Sequence, residues 1–145
     1  MYDHAGLEVL ERAECLSLLA TQPVGRIVFT HRALPAVEPV NYLLDGEQIV
    51  VRTRPGSKLA AATRNSVVAF QVDDIDPDRH NGWSVTVVGR ASRVEDPAEL
   101  HRLAALPLRP WAPAPHDDFI RIAIELVHGR RIVAGPDIPV SHLPL

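Results

Sequence analysis

One stretch constrains this chain more than any other. From Gln48 to Thr53 it is rich in β-branched residues, at Pro55-Gly56 it breaks, and from Ser57 to Arg64 it restarts as an alanine-rich segment that stops at Asn65. Val, Ile and Thr suit a pleated, half-buried surface, Pro-Gly suits a tight turn, and a serine ahead of alanines suits a capped helix start. The order is therefore strand, turn, helix. A helix start leaves backbone N–H groups unpaired and carries partial positive charge, so an exposed anion there is stabilised by about 0.3–1 kcal/mol. Arg52, Arg54 and Lys58 bring cations close to that point, and Thr53 and Ser57 bring hydroxyls. Side chains of these types pair with phosphate oxygens and fix their orientation. The stretch is a candidate phosphate-binding corner for a nucleotide-like cofactor; the same residues also satisfy a plain capped helix beside surface arginines.

The flanking segments determine what such a corner is built into. Asp45-Gly46 is a hairpin signal, so Gln48 to Thr53 is expected to pair antiparallel with Val40 to Leu44. Upstream, a strand over Val24 to Thr30 turns at His31-Arg32-Ala33 into Pro35 to Leu44, completing a three-stranded meander. Downstream, Val67 to Val72 is apolar at five of six positions, the pattern of a strand covered on both faces or lining a barrel. Asp73 to Gly82 reads as an exposed charged loop. Trp83 to Val94 is the longest strand, and Gly89 within it marks a bulge or bend. Phe119 to Val127 reads as the final strand, closing near His128 to Val133. Short helices are expected over Glu11 to Thr21 and from Asp96-Pro97 to Leu106, with Pro107 to Pro115 a rigid loop containing Trp111. Antiparallel hairpins throughout, without the long crossover helices of a parallel sheet, predict a mainly β fold: a small closed barrel plugged by helices.

Composition narrows the function classes. The chain has 145 residues, 46 % of them hydrophobic and 23 % charged, which fits one globular domain over 1–145 with its core in 8–133. Its 15 Lys and Arg against 18 Asp and Glu give a net charge of −3, so no field draws nucleic acid to the whole surface. The single cysteine, Cys15, lies among apolar neighbours and reads as a buried structural thiol. No Cys/His cluster has metal-site spacing. No apolar run approaches the ~18 residues of a membrane span, and Met1-Tyr2-Asp3-His4 is not a secretory leader, so a cytoplasmic location without membrane contact is expected.

Taken in order, the motifs resemble the FMN-binding split barrels related to pyridoxamine 5'-phosphate oxidase, in their small flavin-nucleotide-binding branch. The resemblance is carried by Glu14-Cys15, Gly25-Arg26-Ile27, Pro39-Val40-Asn41-Tyr42, the run from Arg52-Thr53 through Gly56-Ser57-Lys58 to Asn65, Gly82-Trp83-Ser84-Val85 through Gly89-Arg90-Ala91, and Arg109-Pro110-Trp111. It implies a six-stranded antiparallel split β-barrel. It also implies FMN, with the phosphate held by Arg52, Thr53, Ser57 and Lys58 and the ring system along Pro39, Val40 and Asn41. A homodimer with the flavin between subunits follows, Trp83 and Trp111 being candidate contacts there. The activity implied is that of an FMN-dependent oxidoreductase acting on a small molecule. A flavin-nucleotide binder without turnover and a deazaflavin-dependent reductase are the alternatives.

The sequence departs from the vitamin oxidases themselves. Their second strand carries a basic pattern where this chain has Glu38 and Asn41, and a proline-rich tail replaces their C-terminal substrate segment. No catalytic acid or base is required, because the cofactor carries the redox chemistry. Tyr42, His31 and His80 are the available proton donors, each equally at home as an ordinary strand or loop residue.

Overall fold

The computed structural model describes residues 1–108 and 118–132. In chain order the elements are β1 (Glu8–Leu10), α1 (Arg12–Leu19), β2 (Val24–His31), β3 (Leu34–Asp45), β4 (Gln48–Thr53), α2 (Lys58–Ala62), β5 (Ser66–Asp76), β6 (Asn81–Arg93), α3 (Pro97–Ala104), β7 (Asp118–Ala123) and β8 (Leu126–Ile132). All strand pairs are antiparallel, in the order β1-β8-β6-β5-β2-β3-β4-β7, and β6 also pairs with β7. That last pairing closes β2, β3, β4, β7, β6 and β5 into a six-stranded barrel. The strand β6 serves two sheets: Gly82 to Val88 pairs with β8, and Ala91 to Arg93 pairs with β7.

Gly89 sits where β6 changes partner. A Cβ there would collide with the Ala123 carbonyl, so only glycine lets the end of β7 press onto β6. The turn chemistry is equally local. Arg32 and Ala33 both take positive φ, 52° and 64°, the signature of a type I′ hairpin. Arg54-Pro55-Gly56-Ser57 has proline at its second position, Gly56 at φ 75° and a Ser57 N–H bond to the Arg54 carbonyl of 3.2 Å, which together define a type II turn.

Strand alternation divides the apolar residues into two cores. Ile27, Phe29, Tyr42, Ile49, Val51, Phe70, Val85, Val87, Ile120 and Ile122 point into the barrel, where Cys15 and Leu19 of α1 and Leu59 of α2 join them. The opposite face of β4 and β7 carries Val50 and Phe119, covered by Leu103 of α3 and by Leu108. Fully burying one such side chain stabilises the fold by about 1.5–3 kcal/mol.

Three expectations need correction. Asp73 to Gly82 is not a loop: β5 runs on to Asp76, β6 begins at Asn81, and register pairs such as Asp74↔Trp83 and Ile75↔Gly82 bind the two together. Beyond the barrel both faces of this hairpin meet solvent, so its charges accompany strand rather than contradict it. Phe119 to Val127 is not one strand, because the chain breaks between β7 and β8. There the Ile124 N–H turns to the Glu47 carbonyl and the Glu125 N–H to the Ala123 carbonyl, at 3.3 and 3.1 Å, and an apolar run does not reveal a change of partner. The sequence reading also missed β1, three residues paired with β8 and bridged on the other side by Met1 and Tyr2. Arg130 and Arg131 are ion-paired, Arg130 with Asp3 at 2.9 Å and Arg131 with Glu8 and Glu14.

Candidate functional site

The candidate corner lies at one mouth of the barrel. Thr53 is the last residue of β4, directly opposite Asp118 of β7, while Arg93 of β6 pairs with Ile120 of β7. Cross-strand partners share a face, and residues two apart on a strand share one too. Thr53, Asp118 and Arg93 therefore sit on the inward-facing side of three adjacent strands, where those strands end. Arg93 and Asp118 form an ion pair at 3.0 Å, the carboxylate side chain only 13 % exposed.

The type II turn then carries the chain from Thr53 to Ser57. Ser57 caps α2, its Oγ accepting the Ala60 N–H at 3.0 Å, and lies 3.1 Å from Thr53 Oγ1. Two hydroxyl protons serve one hydrogen bond between these oxygens, so whichever hydroxyl donates, the other keeps a proton to offer. Lys58 is exposed beside them. An open depression of about 400 Å³ adjoins the turn, lined by Pro55, Gly56, Ala60, Arg64, Arg93 and Asp118.

The structure does not gather all the sequence candidates in one place. Thr53, Ser57 and Lys58 come together. Arg52 lies on the opposite face of β4, where its guanidinium donates to the Leu108 carbonyl at 2.9 Å and stands 5.3 Å from the Phe119 ring centroid. Val40 is buried in the barrel, with exposed Pro39 and half-buried Asn41 on the outer face. They lie just past Tyr42↔Val51, the last pair between β3 and β4, so this segment runs beside the end of β4. Trp83 is half-buried against the main core, and Trp111 lies outside the described residues.

Among the proton-donor candidates, Tyr42 is committed to the core. Its hydroxyl donates to the Leu19 carbonyl, its ring meets Phe70 edge-on at 4.9 Å, and burial pushes its pKa up to about 12. His31 ends β2, and His80 lies in the β5–β6 turn with positive φ. Cys15 is buried, and burial raises its thiol pKa. Arg93 and Asp118 were missed by sequence reasoning. Nothing near either residue marks it, and only the β4–β7–β6 register carries both to the mouth.

A six-stranded split barrel with a pair of hydroxyls at one mouth defines a class of folds, and similarity to known proteins shows the family within it. A family model of pyridoxamine 5'-phosphate oxidase matches residues 11–131. An uncharacterized protein of Mycobacterium tuberculosis, Rv0080, is 44 % identical over 135 residues, 90 % of this chain and 88 % of its own length. The FAD binding protein from Mycobacterium smegmatis superposes with a TM-score of 0.78 at 34 % identity, covering 88 % of this chain and 100 % of that one. A FAD-binding protein from Mesorhizobium loti gives 0.72 at 26 % identity, covering 88 % and 99 %. The chain belongs to the pyridoxamine 5'-phosphate oxidase family and has its split-barrel fold. Among the described residues no helix is long and apolar enough to cross a membrane, and no group of His, Cys, Asp and Glu is arranged to hold a metal.

Proposed function

We propose that this protein binds a flavin nucleotide at the barrel mouth and acts as a flavin-dependent oxidoreductase on a small molecule, FMN being the smallest cofactor the corner would recognise. The observation that carries the reading is the Thr53–Ser57 hydroxyl pair, which keeps one proton to donate, next to the exposed Lys58 ammonium. This donor set fits the ribityl phosphate of a flavin. A bound flavin would supply the hydride acceptor and donor. The protein's own part is to hold the phosphate, through Thr53, Ser57 and Lys58, and to present the Pro39–Asn41 backbone beside it.

Support also comes from relatives described as FAD binding, which span almost the whole chain. We extend the proposal to a homodimer with the cofactor between subunits. The outer face of the barrel carries an apolar row in register, Val37–Val28–Ala69–Val88–Leu126, crossing five strands, with Val37 59 % and Leu126 57 % exposed. Rows of this kind suit burial against a second copy.

The test is titration of the purified protein with FMN, followed by flavin fluorescence, beside Lys58→Ala. Micromolar or tighter binding that weakens about tenfold in the variant is expected, the loss of one charge-assisted contact; unchanged affinity would remove the corner from the proposal. Oxidation of NAD(P)H by the loaded protein would separate an enzyme from a non-catalytic holder. A monomer by light scattering at micromolar concentration would contradict the dimer.

A further inference from the structure

The first ten residues are held to the barrel mainly by polar groups. They fold back on themselves: the Tyr2↔Glu8 bridge, a Val9 N–H bond to the Met1 carbonyl and an Asp3 N–H bond to the Leu7 carbonyl, both of 2.8 Å, make a small hairpin whose second arm is β1. Asp3 builds its turn. One carboxylate oxygen accepts the Ala5 and Leu7 N–H groups at 2.9 and 3.0 Å, and the other accepts Arg130 Nε of β8 at 2.9 Å. One side chain therefore shapes the hairpin and ties it to the sheet.

The attachment grips both faces of the sheet edge. Along β8, Arg130 lies on the outer face opposite Val9, and Arg131 on the inner face opposite Glu8. Arg131 pairs with Glu8 of the hairpin at 3.7 Å and with Glu14 of α1. Apolar burial adds little: Leu10 is buried and Leu7 and Val9 half-buried, while Met1 and Tyr2 are 91 % and 65 % exposed. Segments with few buried apolar contacts open at a lower free energy than the fold as a whole.

The one buried leucine of this segment lies over the only cysteine. Leu10 and Cys15 both press onto Gly129, where a Cβ would stand 3.1 Å from Leu10 and 2.5 Å from Cys15 Sγ, and the thiol faces the Leu10 carbonyl at 3.9 Å. Cys15 is 1 % exposed. Its helix keeps an anchor of its own, through Leu19 in the barrel core and the Glu14–Arg131 pair. We infer that residues 1–10 are a strap that opens as a unit separate from the barrel, latched by Asp3 onto Arg130 and by Glu8 onto Arg131, and that its opening uncovers Cys15. Closed, the strap also covers the β8 edge from Gly129 to Arg131, whose backbone groups would otherwise stand ready to pair with another extended chain.

The experiment is labelling of the full chain with N-ethylmaleimide, followed by mass; Cys15 is the only cysteine, so each adduct reports it. In the wild type the labelling rate is expected to rise only weakly with urea below the unfolding transition, because a small opening exposes little surface. A urea slope equal to that of global unfolding overturns the strap. Asp3→Ala removes the bonds to Ala5, Leu7 and Arg130 and is expected to speed labelling about tenfold while the urea midpoint holds. Arg79→Gln, which removes an ion pair with Asp76 at 3.7 Å on the β5–β6 turn, is expected to leave the rate unchanged. No acceleration in Asp3→Ala, or equal acceleration in both variants, overturns the latch. A urea midpoint lowered in step with faster labelling would make residues 1–10 part of the global unit and overturn their separate opening.

Discussion

Two helices pack against opposite faces of the barrel wall near β4, and their charges are handled in opposite ways. At α3 the cations are ion-paired: Arg102 forks onto Asp45 at 3.2 and 2.8 Å and also reaches Glu99, while Arg121 reaches the same Glu99 at 2.8 Å and leaves its buried Nε without a partner among the described residues. At α2, Arg54, Lys58 and Arg64 find no acidic partner among the described residues, and the only ion pair at the depression is Arg93–Asp118. Ion-paired cations hold a helix in place, whereas unpaired ones leave positive charge available to a ligand. On the proposed reading, the clamp belongs to the fold and the corner to function.

The largest test of this contrast uses the cores beneath the two helices. Leu59 of α2 and Leu103 of α3 are both buried, and truncating either to alanine is expected to cost about 2–5 kcal/mol in urea unfolding. Flavin affinity should fall steeply in Leu59→Ala and hold in Leu103→Ala under conditions where both remain folded. Equal loss in the two would erase the distinction. Next in size is Ser57→Ala, expected to cost about 1 kcal/mol by removing the cap and to weaken flavin binding as well. Stability loss with unchanged binding would make Ser57 a cap alone.

Smaller effects follow from acid. The Asp45 carboxyl is held below the ordinary 3.8 chiefly by the Arg102 hydrogen bond, and Glu99 below 4.5 by Arg102 and then Arg121. A depressed folded pKa means the unfolded chain takes up its proton first. The clamp's contribution is therefore present above about pH 4.5 and lost as pH falls through the folded values. Glu99→Gln should flatten the decline of the thermal midpoint between pH 5 and 3, measured by circular dichroism, while Lys58→Ala should leave that slope unchanged. The least effect is expected from salt on stability, since exposed pairs contribute little. On the proposed reading flavin affinity depends on exposed cations and should weaken as salt is raised.

Much of this was legible in the chain. Pro55-Gly56 and Ser57 fixed a type II turn and a capped helix, the β3–β4 hairpin was readable at Asp45-Gly46, and Gly89 stood where the long strand needed relief. These signals are local: φ restriction, a cap and strand alternation act within a few residues. The hairpin pattern gave a closed barrel, and the family resemblance specified its six-stranded split form. The Asp73 to Gly82 hairpin was lost because charge was read as loop, although a strand that leaves the barrel carries polar residues on both faces.

The sequence by itself determined the order of elements from α1 to α3, the turn and cap chemistry, and the closeness of Thr53 and Ser57, four residues apart. Tertiary structure alone decided that β6 changes partner at Gly89, that Arg52 turns to the α3 face, and that Arg93 and Asp118 meet at the mouth. The physical reason lies in register. Alternation states which residues share a face of one strand, but the offset between strands 25 or 65 positions apart is fixed only when the barrel closes and its core packs.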